Sequence, residues 1–293
     1  MGVPRGSGLR EIACALLALA GFTAAQTLSP PAPADFVCPM HRDVRSAAPG
    51  KCPRCGMKLV NAIPDIEPYP VSVTLTPRAP KPGERVLLTF HIKDPKTGAP
   101  VTRFELVHEK LFHMFIVSQD LEFLVHEHPE LLPDGSFRYE GPLPKRGMYR
   151  ILADFYPSGG TPQLTAKTIF VRGGDMRTAH LAPDLAAKQG SNLEVELVTD
   201  PPHPVAGLKT VLLFRVKPDA GLEPYLGAWG HLLAASDDLI DMIHTHPFLA
   251  SGGPQIQFNV IFPRARSYRL WVQFQRLGVV NTAVFTVPVS VLK

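Results

Sequence analysis

The run from His113 to Pro129 occurs twice in this chain. His113-x4-Ser118-x-Asp120-Leu121-x4-His126-x-His128-Pro129 returns without a gap as His231-x4-Ser236-x-Asp238-Leu239-x4-His244-x-His246-Pro247, seven identities at fixed offsets over 17 positions. Further on, Tyr149-Arg150, Phe155 and Gly159 match Tyr268-Arg269, Phe274 and Gly278, again at constant spacing. Such self-similarity means a duplicated unit, so the fold of the first copy is also the fold of the second. The roughly 220 residues after position 70 are too many for one ordinary β-sandwich and suit two.

Proline is 31 of 293 residues, about twice its usual share, and the apolar runs are short, rich in Val, Leu, Phe and Thr, and bounded by Pro/Gly turns. Strands are predicted near 71–76, 85–93, 112–118, 122–126, 137–139, 148–156 and 165–171. A second series is predicted near 193–198, 210–216, 231–235, 240–244, 256–262, 268–275 and 283–289, with 175–191 as a linker carrying a short helix around Pro183 to Lys188. The expected fold is mainly β: a small metal-knuckle module followed by two duplicated Ig-like antiparallel sandwiches, 67–174 and 192–293.

Ser-x-Asp is turn chemistry, because both side chains can bond their own downstream backbone. With Gln119 and Asp120 as a two-residue loop, Ser118 pairs with Leu121 and His113 with His126, whose Cβ atoms would then lie about 5 Å apart. His128, two residues beyond His126, shares its face. Three imidazoles converge, and His231, His244 and His246 repeat the construction, with Met242 added to their face where the first copy has Leu124. Three histidines in one copy, and three plus a methionine in the other, suit copper. The same histidines would also serve as a hydrogen-bonded structural corner. Met114 faces away from His113, the repeated Tyr and Phe read as core, and His91, His108, His180 and His203 are unrepeated and carry no assigned role.

A second feature lies upstream. Cys38-Pro-Met-His41 and Cys52-Pro-Arg-Cys55-Gly-Met57 each present two ligands three residues apart, a spacing that can close a tetrahedral shell of three thiolates and one imidazole. The thioethers of Met40 and Met57 would bias such a site toward Cu(I). Thioredoxin-like chemistry for Cys52 and Cys55 needs a helix start after a strand, whereas Gly56 and the prolines make a turn. The stretch Phe36–Val60 resembles the heavy-metal-binding domain appended to copper-efflux membrane-fusion proteins and heavy-metal P-type ATPases. The resemblance implies Cys38, Cys52 and Cys55 as metal thiolates, with Met40, His41 and Met57 as further ligands. Arg42 stands where that pattern often has Pro, a change that touches the turn and no donor atom. The resemblance does not extend past this module, at 36–63.

Residues 1–25 have the form of an export signal: Arg5 and Arg10, a short apolar run from Ile12 to Thr23, and small residues up to Ala25. Cys14 lies near the start of that run and is expected to leave with it. The remaining three cysteines all belong to the module, an odd number that favours metal ligation over disulfides. Residues 26–35 are a Pro/Ala linker. Cleavage takes the formal charge from +4 to +3, with scattered basic residues, which excludes a nucleic-acid footprint or a polybasic membrane patch. No segment of the mature chain reaches the ~20 apolar residues of a membrane span.

The function expected from these residues is non-enzymatic: a periplasmic or secreted protein that binds a transition metal, copper as Cu(I) or Cu(II) with zinc as the alternative, for resistance, sequestration or delivery. Its partners are metal ions and a metal-efflux or metal-delivery protein. A second expectation is an adaptor of a metal-efflux system, with the sandwiches docking partners and the module acting as sensor or tether; no heptad helices or lipoyl-like segment support a whole membrane-fusion protein. A copper enzyme is a third, but without cysteine the β-domains exclude a blue-copper centre. No Ser/His/Asp or paired-carboxylate arrangement is present.

Overall fold

The computed structural model describes residues 1–2, 36–37, 44–54, 56, 58–61, 67–174, 179–247 and 252–292. The export signal and the 26–35 linker lie outside the described residues. The chain divides into two compact units, Met1–Ile63 and Pro64–Lys293.

In the first unit, β1 (Phe36–Val37) pairs antiparallel with β2 (Arg45–Ser46) and β3 (Val60–Asn61). Its small core is Cys52 and Leu59, with Phe36 and Val44 packed against them.

The second unit is two sandwiches. The first has an outer sheet of β4 (Val71–Thr76), β5 (Arg85–Ile92), β8 (Glu130–Leu131) and β9 (Phe137–Pro142), in the order β4-β5-β9-β8. Its inner sheet contains β6 (Phe112–Ser118), β7 (Leu124–Glu127), β10 (Gly147–Phe155) and β11 (Gln163–Val171), ordered β11-β10-β6-β7. The second copy repeats this plan. Its outer sheet is β12 (Lys188–Gln189), β13 (Glu194–Asp200), β14 (Lys209–Lys217) and β18 (Gln255–Ile261) in that spatial order. Its inner sheet runs β15 (Leu222–Glu223), β19 (Ser267–Arg276), β16 (His231–Ser236), β17 (Met242–Thr245), and β20 (Val279–Pro288) also pairs with β19.

Outer strands alternate as half-buried strands should; Arg85–Ile92 runs exposed, buried, intermediate, buried to its end. The central inner strands do not: every residue of β6 and of β16 is buried. Phe112, Met114 and Ile116 on one face of β6 enter the first sandwich core. Phe115 and Val117 on the other face join Leu233, Ala235, Leu239, Leu152 and Trp271 in an apolar cluster drawn from both copies. The two inner sheets therefore pack on each other, and this seam holds the duplicated domains together.

The helix expected around Pro183 to Lys188 is absent. Asp184 instead exchanges two backbone hydrogen bonds with Thr286, at 2.9 and 2.8 Å, and Lys188 begins β12. The i,i+4 ion pair Lys188–Asp184 looks helical in sequence, but pairing with β20 satisfies the backbone and overrides that local preference.

The seam generates a stability prediction. Trp271→Ala empties a site only 4% exposed and should cost about 3–5 kcal/mol. Leu277→Ala, at a position 64% exposed, should stay within about 0.5 kcal/mol of the parent. Urea denaturation of the two variants checks both; equal midpoints would contradict a packed seam.

Candidate metal centre

Each inner sheet presents its histidines from a hairpin closed by the repeated Ser-x-Asp. Ser118 Oγ donates to Asp120 Oδ1 at 2.5 Å and accepts from Phe123 N–H at 3.1 Å. Ser236 Oγ donates to Asp238 Oδ1 at 2.6 Å and accepts from Asp241 N–H at 3.0 Å. Leu121 and Leu239 take left-handed backbone at φ 59° and 55° and tuck their side chains into the seam. The loop between the paired strands therefore has four residues, 119–122 in the first copy, and not the two expected. The pairing is displaced by two: Met114 faces Glu127 and Phe115 faces His126, so His113 lies toward His128. Because side chains alternate with period two, this slip keeps every histidine on its face.

His113 Nδ1 lies 3.4 Å from His126 Nε2 and 3.2 Å from His128 Nε2. In the second copy His231 Nδ1 lies 3.0 Å from His246 Nε2. The seam then merges what the repeat had suggested as two separate sites. The ligand atoms of His113, His126 and His128 fall within 4.8 Å of one another, and so do those of His113, His231 and His244, a set drawn from both copies. Met242 packs against the apolar seam cluster. Three participants were not found from the sequence. His108 stacks on His246 with ring centroids 3.6 Å apart. Asp154, beside His113 on β10, and Gln273, beside His231 on β19, occupy matching positions, each one residue before the repeated Phe. A polar residue inside a strand as apolar as Ile-Leu-Ala-Asp-Phe is the signal that could have found them.

The hydrogen bonds assign the ring protons. His113 Nε2–H donates to Val107 O, and His231 Nε2–H to Tyr225 O, both at 2.9 Å. Each carbonyl sits in a tight turn whose two central residues have positive φ, His108 and Glu109 at 48° and 65°, Leu226 and Gly227 at 50° and 72°. Across the seam, His126 Nδ1–H donates to Gln273 Oε1 at 2.6 Å, and His244 Nδ1–H to Asp154 Oδ2 at 2.7 Å. A neutral imidazole has one N–H and one lone pair, so His113 and His231 aim lone pairs inward from Nδ1 and His126 and His244 from Nε2. His244 Nε2 is buried with no hydrogen-bond partner.

Burial dominates the electrostatics. Desolvation pushes the pKa of His126, His128 and His244 down to about 3 and that of His246 to about 2, with repulsion from neighbouring imidazoles adding to it. His108, His113 and His231 are held below the ordinary value for the same first reason. Burial raises the Asp154 carboxyl, and His113 and His108 draw it partly back. The cluster is thus a set of neutral imidazoles, the protonation state that ligates metal. Imidazole nitrogens 3.2–3.4 Å apart match the separation of about 3.3 Å that a tetrahedral shell with bonds of 2.0–2.1 Å requires.

In the N-terminal unit the structure places Cys52, which is buried, with its carbonyl accepting Gly56 N–H at 2.8 Å. Cys38, Met40, His41, Cys55 and Met57 lie outside the described residues.

Comparison with known proteins bears on both units. The family described as Domain of unknown function (DUF8832) matches residues 67–173 and again 187–291. The chain belongs to this DUF8832 family. The family described as Heavy metal binding domain matches residues 36–62, so the resemblance of that segment is established and some transition metal is implied. No curated protein matches the chain. Solved structures similar to it include the Escherichia coli adhesin FdeC, at 16% identity over 80% of this chain and 71% of that one, TM-score 0.27. A two-domain fibronectin type-III segment of chicken tenascin matches at 10% identity over 75% of this chain and 99% of that one, TM-score 0.23. Among the described residues no helix is long and apolar enough to cross a membrane.

The depressed imidazole pKa values fix a sign for acid stability of the metal-free DUF8832 pair. Folded values near 3 lie below the unfolded 6.5, so the unfolded chain binds more protons in that window. The cluster's contribution is fully present above pH 6.5 and is lost as the pH falls toward 3. Chemical denaturation across that range should show the midpoint beginning to fall well above the carboxylate range, and a shallower fall in His128→Gln with His246→Gln. A midpoint flat down to pH 5 would mean the imidazoles are not buried as neutral groups.

Proposed function

We propose that this chain is an exported transition-metal-binding protein, with copper as its principal ion, in which the heavy-metal-binding module captures the ion and the paired β-domains hold it at the seam. The observation that carries this reading is the convergence of neutral imidazole lone pairs from both copies on one buried region, with His244 Nε2 unpartnered. His128 and His246 can each donate Nε2–H to His113 and His231 Nδ1, but the Nε2 lone pairs of His126 and His244 have no proton to accept; a buried lone pair left so is costly, and a metal ion removes that cost. Copper is favoured over zinc by the soft donors of the module, Met40 and Met57 beside the thiolates, with imidazoles suited to either ion. Export is supported by the signal-like first 25 residues, and metal ligation by the odd number of cysteines that the module keeps. The role is binding and delivery, outside the cytoplasm, to a metal-efflux or metal-delivery partner. The cysteine thiols must lose their protons to bind as thiolates, so the module releases its ion in acid.

Elemental analysis after loading with Cu(I), Cu(II) or Zn(II) and desalting tests the assignment. Cys38→Ser with Cys52→Ser and Cys55→Ser should retain copper at the seam. Adding His126→Ala with His128→Ala and His244→Ala with His246→Ala should remove it. Retention of no ion by the cysteine variant would reduce the β-domains to scaffold. N-terminal sequencing of the exported protein should begin at Gln26.

A further inference from the structure

The seam holds more donors than one ion can use. Six imidazoles, His113, His126, His128, His231, His244 and His246, stand in the cluster, with ring centroids 4.8 Å apart for His113 and His128, 4.5 Å for His231 and His246 and 4.5 Å for His244 and His246. A lone pair serves one ion and a tetrahedral shell takes four ligands, so six imidazoles exceed a single shell. His113 belongs to two close sets, one with His126 and His128 and one with His231 and His244; its one lone pair serves the first, and His246, with Nε2 3.0 Å from His231 Nδ1, stands beside the second. The two halves abut: His113 and His231 rings are 5.9 Å apart and nearly parallel, at 26°.

The halves also differ in one respect that the duplication makes easy to see. Matching positions hold Asp154 in the first copy and Gln273 in the second, and each reaches across the seam to a histidine of the other copy. His244 is thereby backed by a carboxylate and His126 by a neutral amide. A carboxylate behind an imidazole raises its basicity and its strength as a ligand, and outer-sphere partners of this kind typically change metal affinity by about 10–100-fold. A formal negative charge beside one half also offsets the charge of a divalent ion in a buried site.

Resting on the reading above that these histidines hold metal, we propose that the seam is a two-metal centre with unequal halves. His231, His244 and His246, backed by Asp154, form the tighter half for a divalent ion. His113, His126 and His128, backed by Gln273, form the weaker. Asp154 and Gln273 are positioning residues: neither ligates, and each orients one ligand and sets its strength from the opposite copy. His108, laid on His246, covers the tighter half.

Titration calorimetry with Zn(II), which has no redox chemistry, decides this in the full chain carrying Cys38→Ser, Cys52→Ser and Cys55→Ser. Two equivalents should bind with resolved affinities. Asp154→Asn keeps an acceptor for His244 Nδ1–H and removes the charge; it should weaken the tighter event about 10–100-fold and leave the weaker one. Gln273→Glu should strengthen the weaker event, an outcome that a merely structural role at the seam does not produce. Co(II) absorption bands in the same variants report which half has changed. One equivalent only, or two events that neither variant moves, overturns the unequal centre while leaving metal binding at the seam intact. Failure of this chain to hold zinc or copper at all overturns instead the histidine reading beneath it.

Discussion

A strand buried on both faces leaves its polar atoms nowhere to go. Strands β6 and β16 are in that position, each with a sandwich core on one side and the opposite copy on the other, so every imidazole nitrogen on the seam side needs a partner within the protein or a bound ion. The tight turns at 107–110 and 225–228 supply carbonyls for two rings, and the cross-seam contacts from Gln273 and Asp154 supply acceptors for two more. Once those protons are placed, the remaining lone pairs have only the cluster interior to face. The ring orientations follow from hydrogen bonding in a buried interface, and the directions of the remaining lone pairs follow from the ring orientations.

Much of this was legible in sequence because it depends on short-range periodicity. The alternation of β5, the period-two spacing of His126 and His128, the Ser-x-Asp turn and the fixed offsets of the repeat all refer to neighbours along the chain. Parity protected the face assignment even where register failed: the expected two-residue loop became four because Asp120 bonds both Ser118 Oγ–H and Glu122 N–H while Leu121 turns inward. A slip of two residues moves histidines along the strand without moving them off its face.

What was not legible depends on which surfaces meet. A run such as Phe112-His-Met-Phe-Ile-Val-Ser118 breaks alternation because two apolar environments flank it, yet nothing local says that the second is another copy of the same sheet. Asp154 and Gln273 sit in matching, otherwise apolar strands, and their partners lie 90 and 147 residues away. The stretch near Asp184 shows the opposite failure, in which a helical ion-pair spacing was outweighed by backbone pairing with Thr286.

The crossing of Asp154 and Gln273 has the form of an exchange: copy one gives copy two an acceptor and receives one at the equivalent place. Surfaces that do this are self-complementary, the mark of a twofold homodimer. The β-region is in effect such a dimer joined into one chain, and joining it removed a constraint. In a true homodimer any substitution appears on both sides of the axis at once, so the two acceptors would have to be identical. Within one chain they can part, as a carboxylate and an amide have here, and a pocket that symmetry would have kept uniform can carry two distinct chemistries.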